Sequence, residues 1–183
     1  MKTLQFALKT AAAICFAFIM SSASCSLFDK VDDVNFEAKL PLEFVVNETA
    51  MSTSPVTYTE TKTLDATQNA EVAKYKDKIK EITVNKITYV VSGYSASGAV
   101  VTFTNGTLKV ASSGKTIASA ASVNLQSTAE AELTADTAGF NELGQLLKAD
   151  KSETIQLQGT FSSTPVAFKV TVYFHTTITA EVL

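Results

Sequence analysis

From residue 36 the chain alternates. Phe36, Ala38, Leu40, Leu42, Phe44 and Val46 fall on one side of an extended backbone, with Glu37, Lys39, Pro41 and Glu43 on the other. A period of two with one apolar face is the signature of a half-buried strand. Pro41 has no amide hydrogen for a neighbour, so this strand belongs at a sheet edge or carries a bulge. Residues 56–64, rich in Thr and Tyr, form a second strand. Over 69–78 the period changes, and Val72, Tyr75 and Ile79 recur at helical spacing among Lys and Glu. Residues 79–94 are again β. Ile82 and Val84 share a face, and Ile87, Tyr89 and Val91 continue with the phase shifted by one. A bulge near Asn85-Lys86 accounts for that slip.

The remainder is read the same way. A loop over 93–98 leads to a strand over 99–104, and Asn105-Gly106 is a two-residue hairpin turn into 107–111. A second turn covers 112–114, and a further strand pair lies within 116–133. Asp136 or Thr137 caps a short helix whose apolar stripe is Phe140, Leu143, Leu146 and Leu147. Ile155, Leu157 and Phe161 then alternate, a turn covers 162–165, and 166–182 alternates to the end. About eight short strands with two short inserted helices predict a mainly β protein, an antiparallel β-sandwich, with 36–183 as a single domain.

Residues ahead of position 36 follow no such period. Lys2 and Lys9 precede an apolar run over 11–20, and Ser21-Ser22-Ala23-Ser24 leads into Cys25. The run is shorter than the ~20 apolar residues a membrane-spanning helix needs. It has the three parts of a secretory signal peptide, assigned to 1–24. Ser22-Ala23-Ser24-Cys25 resembles the bacterial lipobox, without the Leu usual three residues before the cysteine. Cys25 is therefore expected to carry lipid as the first residue of the mature chain, with 25–35 as its tether. The acids Asp29, Asp32 and Asp33 in this tether read as a solvated linker. The alternative is the acidic surface-export signal of some Bacteroidota lipoproteins, from which Ser26-Leu27-Phe28 depart, so the membrane face stays open. Cys15 leaves with the signal peptide. The mature chain then has no second cysteine and no disulfide, and a hydrophobic core must hold it together.

Charge removes several classes of function. All 15 basic residues are Lys, and the sequence has neither Arg nor Trp. Without Lys2 and Lys9, 13 Lys face 18 acidic residues, a formal charge of −5. Nucleic-acid binding, which wants a basic face, is not expected. Nor is there an Arg fork to clamp phosphate or carboxylate.

Candidate chemistry is sparse. Gly114-Lys115-Thr116 matches the tail of a phosphate-binding loop, but position 109 is Lys where the motif needs Gly, so a hairpin turn is expected. His175 is the sole histidine and falls on the polar face of the last strand with Lys169, Tyr173 and Glu181. With no second His and no Cys to join it, no metal site follows. Glu130 and Glu132 share a face opposite Ala129, Ala131 and Leu133, the solvent side of an amphipathic strand rather than a catalytic pair. Asp136-Thr137-Ala138 resembles the short sequon for O-glycosylation of exported Bacteroidota proteins and makes Thr137 a candidate acceptor. No catalytic residue, cofactor or metal is expected.

The Ser24-Cys25-Ser26 junction with nearby Asp29, the Lys78-Ile79-Lys80-Glu81-Ile82 run into a long strand, and the alternating segment from Val166 together resemble a family of small Bacteroidota outer-membrane lipoproteins with a β-sandwich domain. The resemblance spans nearly the whole mature chain. It implies an outer-membrane location through the N-terminal lipid, and it carries over no activity and no functional residues. The expectation is a non-enzymatic envelope lipoprotein, structural or accessory, that binds a partner protein or assembly. The alternative is a surface ligand- or glycan-binding (adhesin) module using Tyr-bearing loops such as 92–98.

Overall fold

The computed structural model describes residues 33–182. The signal peptide, Cys25 and most of the tether lie outside the described residues. Nine strands and two α-helices follow in the order β1 (Asp33–Ser52), β2 (Val56–Asp65), α1 (Ala70–Tyr75), β3 (Ile79–Ala96), β4 (Phe103–Val110), β5 (Thr116–Val123), β6 (Ala131–Glu132), β7 (Thr134–Ala135), α2 (Thr137–Asp150), β8 (Ser152–Phe161) and β9 (Thr164–Glu181). A single 3₁₀ turn, Ala66–Gln68, precedes α1. The strands form two antiparallel sheets. Sheet A has the order β1-β9-β3-β6 and sheet B the order β2-β8-β4-β5-β7.

Alternation decides which face of each strand turns inward. Leu40, Leu42, Phe44 and Val46 of β1 and Val166, Phe168, Val170, Val172, Phe174 and Ile178 of β9 are buried on the inner face of sheet A. Sheet B answers with Leu64, Phe103, Leu108, Ile117, Ile155, Leu157 and Phe161. At the centre the Phe161 ring lies 4.9 Å from Phe103, 5.4 Å from Tyr58 and 5.9 Å from Phe168, so the two sheets meet through aromatic edges and faces. Thr176 is a polar intruder in the middle of the β9 row, and its hydroxyl is satisfied by donating to the Ala38 carbonyl at 3.1 Å.

The structure bears out the antiparallel sandwich with two inserted helices. It also has β1, with Pro41, at the edge of sheet A, and a register shift between Val84 and Lys86 where the hydrophobic phase slips. It corrects several boundaries. β1 starts at Asp33, inside the segment read as tether, because Asp33–Asn35 find partners in Glu181–Thr179. α1 covers only Ala70–Tyr75 of the helix expected over 69–78, with Asn69 as its cap. β3 runs on to Ala96 through the expected 93–98 loop, Gly93 at φ 64° giving the slack for another shift between Ser92 and Ser95.

Asn105-Gly106 is no hairpin turn. It lies inside β4, where Asn105 adopts φ 52° and the pairing with β8 shifts between Thr104 and Thr107. The left-handed preference that makes Asn-Gly a turn also makes it a bulge, and the bulge wins here because strands flank it on both sides. The real hairpin follows at Ala111–Lys115, with Gly114 at φ 73°. The strand pair expected within 116–133 is only half present. β5 forms, but β6 crosses to sheet A and pairs with β3.

α2 begins at the expected cap, Asp136, whose carboxylate accepts the Gly139 N–H at 2.9 Å. It buries Phe140, Leu143 and Leu147 and spans the gap between the sheets. Two glycines permit that approach. A Cβ on Gly139 would meet the Thr116 carbonyl oxygen of β5 at 2.0 Å, and one on Gly144 the Ile82 oxygen of β3 at 2.3 Å. Gly144→Ala is therefore expected to lose about 1–3 kcal/mol by overpacking, against the ~1 kcal/mol that alanine ordinarily adds inside a helix. Urea unfolding of the two proteins measures the difference, and a more stable Gly144→Ala variant would contradict this packing.

Candidate functional site

Titratable side chains converge on the outer face of sheet A. The antiparallel register sets Lys39 of β1 opposite His175 of β9, and His175 opposite Lys86 of β3. The next row is Pro41, Tyr173 and Thr88. The bulge between Val84 and Lys86 makes this possible. It turns Asn85 and Lys86 outward in succession, so that Thr88 shares the outer face with His175 while Ile87 goes to the core. Asn85 is fixed by its amide, which donates to Thr177 Oγ1 at 2.8 Å.

Glu130, in the segment ahead of β6, ties the group together. Lys39 Nζ donates to its two carboxylate oxygens at 3.1 and 3.3 Å and lies 3.9 Å from the centre of the Tyr173 ring. Thr88 Oγ1 lies 2.5 Å from Glu130 Oε1 and 3.0 Å from His175 Nε2. A hydroxyl has one proton. Thr88 donates it to the carboxylate, which can only accept, so the Thr88 oxygen accepts from His175 and Nε2 carries the ring hydrogen. The direction runs His175 to Thr88 to Glu130, with Lys39 closing on the same carboxylate.

The hydrogen bond from Thr88, then that from Lys39, holds the Glu130 carboxyl below the ordinary range. His175 is lowered from its ordinary 6.5, first by burial and then by Lys86 and Lys39, with Glu130 acting in the opposite sense. Burial and the two facing lysines thus disfavour the charged imidazole.

A histidine, a hydroxyl and a carboxylate in contact invite comparison with a hydrolytic triad, but the proton direction is wrong for one. A nucleophilic hydroxyl must give its proton to the imidazole. Here the Thr88 proton is held by Glu130, the imidazole is the donor, and Thr88 is buried. The group is built as a brace. Among the described residues no three His, Cys, Asp or Glu side chains are grouped to hold a metal ion.

The other sequence candidates are scattered. Gly114-Lys115-Thr116 is the β4–β5 hairpin, and Lys115 pairs with Glu142 at 3.6 Å. Glu132 sits in β6 opposite Thr88 and is exposed, while Glu130 is engaged in the brace instead of lying idle on a solvent face. Thr137 is the exposed first residue of α2. Tyr94 does not project from a loop: its hydroxyl accepts the Val101 N–H at 2.9 Å and closes the β3–β4 connection. Cys25 lies outside the described residues. The sequence marked His175 and Glu130 separately. Nothing in it signalled that they meet, because Glu130 and Thr88 are 42 positions apart and the meeting depends on where β6 lands.

No protein-family model matches the chain, and no curated protein matches it. Solved structures with a similar course include turnip yellow mosaic virus at 10% identity and TM-score 0.37, covering 82% of this chain and 96% of that one. Desmodium yellow mottle tymovirus aligns at 8% and 0.37, covering 82% and 90%. The decameric BFDV capsid protein aligns at 7% and 0.38, covering 80% and 99%. At this distance neither ligand nor assembly transfers. Among the described residues no helix is long and apolar enough to cross a membrane.

The electrostatics give a sign that is open to measurement. With a folded pKa below the unfolded value, His175 takes up its proton in the unfolded chain first. Stability is therefore full above pH 6.5 and declines as pH falls through 6.5 toward the folded value. NMR titration of the single histidine is expected to give a midpoint below 6.5, raised by Lys86→Ala and lowered by Glu130→Gln. Opposite movements would refute the assigned causes.

Proposed function

We propose that this chain is a non-catalytic, lipid-anchored lipoprotein of the cell envelope, structural or accessory, which binds a partner protein or assembly at the outer membrane. The observation that carries the non-catalytic reading is the direction of the hydrogen bonds from His175 through Thr88 to Glu130. The one grouping with the right residue types for acid–base chemistry leaves no proton free to move from hydroxyl to imidazole. The Ser22–Cys25 junction supports the anchor.

The shape suits an anchored spacer. β1 has 20 residues, which at ~3.4 Å each span up to ~65 Å. Its Asp33 end is the nearer to Cys25 in sequence, and its Ser52 end meets β9 at Thr164. At that far end the β1–β2, β3–β4 and β8–β9 connections are tied together. The Thr102 N–H donates to Ser162 Oγ at 3.1 Å, and the Thr164 hydroxyl donates to the Ala50 carbonyl. Met51, next to the last residue of β1, is 88% exposed and Val100, on the β3–β4 connection, 58%, apolar surface with no use inside the monomer. A protein partner at the distal end fits this better than a glycan, since Tyr94 is engaged with Val101 and the Tyr173 ring lies beneath Lys39.

Two measurements test the reading. Cys25→Ser is expected to release the protein from membranes or block its processing while the domain keeps its β spectrum. A variant still membrane-bound and normally processed would overturn the anchor. Purification from native membranes after cross-linking is expected to yield a stoichiometric partner that is lost in a Met51→Glu/Val100→Glu variant; a clean monomer in both counts against the accessory role. Intact mass from the native host tests the acceptor assignment of Thr137, which an unmodified mass would remove.

A further inference from the structure

The gap between the sheets on the β3/β5 side is closed in two different ways. One half is sealed by α2, whose glycines lie against backbone on both sheets. The other half is covered by residues 124–135, a strap that leaves β5, touches sheet A as β6 and returns to sheet B as β7. Its ladders are two residues long: Thr88 and Tyr89 against Glu132 and Ala131, then Ala118 and Ser119 against Ala135 and Thr134. The Leu133 N–H adds a bond to the Ile87 carbonyl at 3.0 Å. Beyond these, the strap is fastened by the Glu130 side chain on Thr88 and Lys39.

Behind the strap is a void of about 40 Å³ with an entirely apolar lining. The strap contributes Leu125 and Leu133 to its wall, β3 contributes Tyr89 and Val91, and β5 contributes Ala118 and Ala120. Such a void has no partner for water and stays dry. Tyr89 belongs to the wall yet is only partly buried. Its hydroxyl has no hydrogen-bond partner among the described residues and is not shut off from solvent.

We propose that this void is the closed form of a binding site for a single-chain amphiphile such as a fatty acid. The alkyl chain lies between the sheets behind the strap, and the polar head meets the Tyr89 hydroxyl at the mouth. Packed sheets are ~10 Å apart and their inward side chains fill that gap, so an alkyl chain can enter only where the strap's side chains vacate it. An apolar lining with one polar donor at its edge fits an amphiphile better than a sugar or a peptide. The closed void is too small for a chain, so binding requires the strap to swing out and withdraw Leu125 and Leu133. Glu130 is then the latch. Weakening it raises the fraction of open molecules, and the apparent affinity rises in proportion.

The experiment measures dodecanoate binding to the full-length protein by calorimetry. The variants are Glu130→Gln and the pair Thr88→Cys/Glu132→Cys, which are register partners. Cα atoms of antiparallel partners are ~4.5–5.5 Å apart, within the span of a disulfide. Wild type is expected to bind one dodecanoate, and Glu130→Gln to bind ~5-fold tighter. The double variant is expected to bind when reduced and to lose binding when oxidised. Absence of binding to both wild type and Glu130→Gln, each with an intact β spectrum, would overturn the proposal. Equal binding to the oxidised and reduced double variant would do the same, since it would place the ligand on the surface.

Discussion

Everything in sheet A depends on β9 pairing on both its edges. Along its length it is bonded to β1 on one side and to β3 on the other, so without it β1 has no sheet and β3 keeps only its two-residue ladder with β6. The inward row from Val166 to Ala180 supplies more of that sheet's buried apolar residues than any other strand. Because β9 follows β1 and β3 in the chain by long intervals, these contacts close only after large loops have been brought together. The register that results also sets the outer face, placing His175 between two lysines that would repel a charged imidazole.

That cost is managed locally. Like charges directly opposite one another in a sheet are unfavourable. The row is relieved in two ways: the His175 pKa is held below its ordinary value, and Glu130 takes Lys39 out of the row and over the Tyr173 ring. The Thr88 hydroxyl is the hinge of this arrangement, accepting from one neighbour and donating to the next. A brace of this kind fastens the chain segment that bears Glu130 to a sheet face it would otherwise leave.

The strands with one apolar face were legible in the sequence, because alternation over ten or more residues has a single structural meaning. Pro41 narrowed β1 to a sheet edge or a bulge, of which the edge is observed, and the slipped phase of Ile87 and Tyr89 marked the bulge at Asn85. The helix start was legible to within one residue, Asp136 or Thr137, and Asp136 is the cap. What could not be read were features whose local chemistry serves two structures. Asn105-Gly106 favours a left-handed backbone, and only the strands on either side decide between a turn and a bulge. Residues 129–133 alternate, but alternation does not say which sheet they join, and the course of 124–135 is set by edges on two different sheets. The brace is invisible for the same reason: Glu130 has no sequence relation to Thr88 or Lys39 until β6 crosses over.

The edge formed by β1 has a consequence for how copies of this protein behave near one another. A strand of 20 residues with one free side is a template on which a second chain could extend the sheet indefinitely. Pro41 interrupts the row of amide donors near its middle, and Glu37, Lys39 and Glu43 around it make an approaching identical edge meet charge. Glu43 is itself tied to Lys169 across the strand pair at 3.2 Å, which keeps that charge in place. One proline and three charges thus let a long open edge remain a boundary where it could have seeded a fibre.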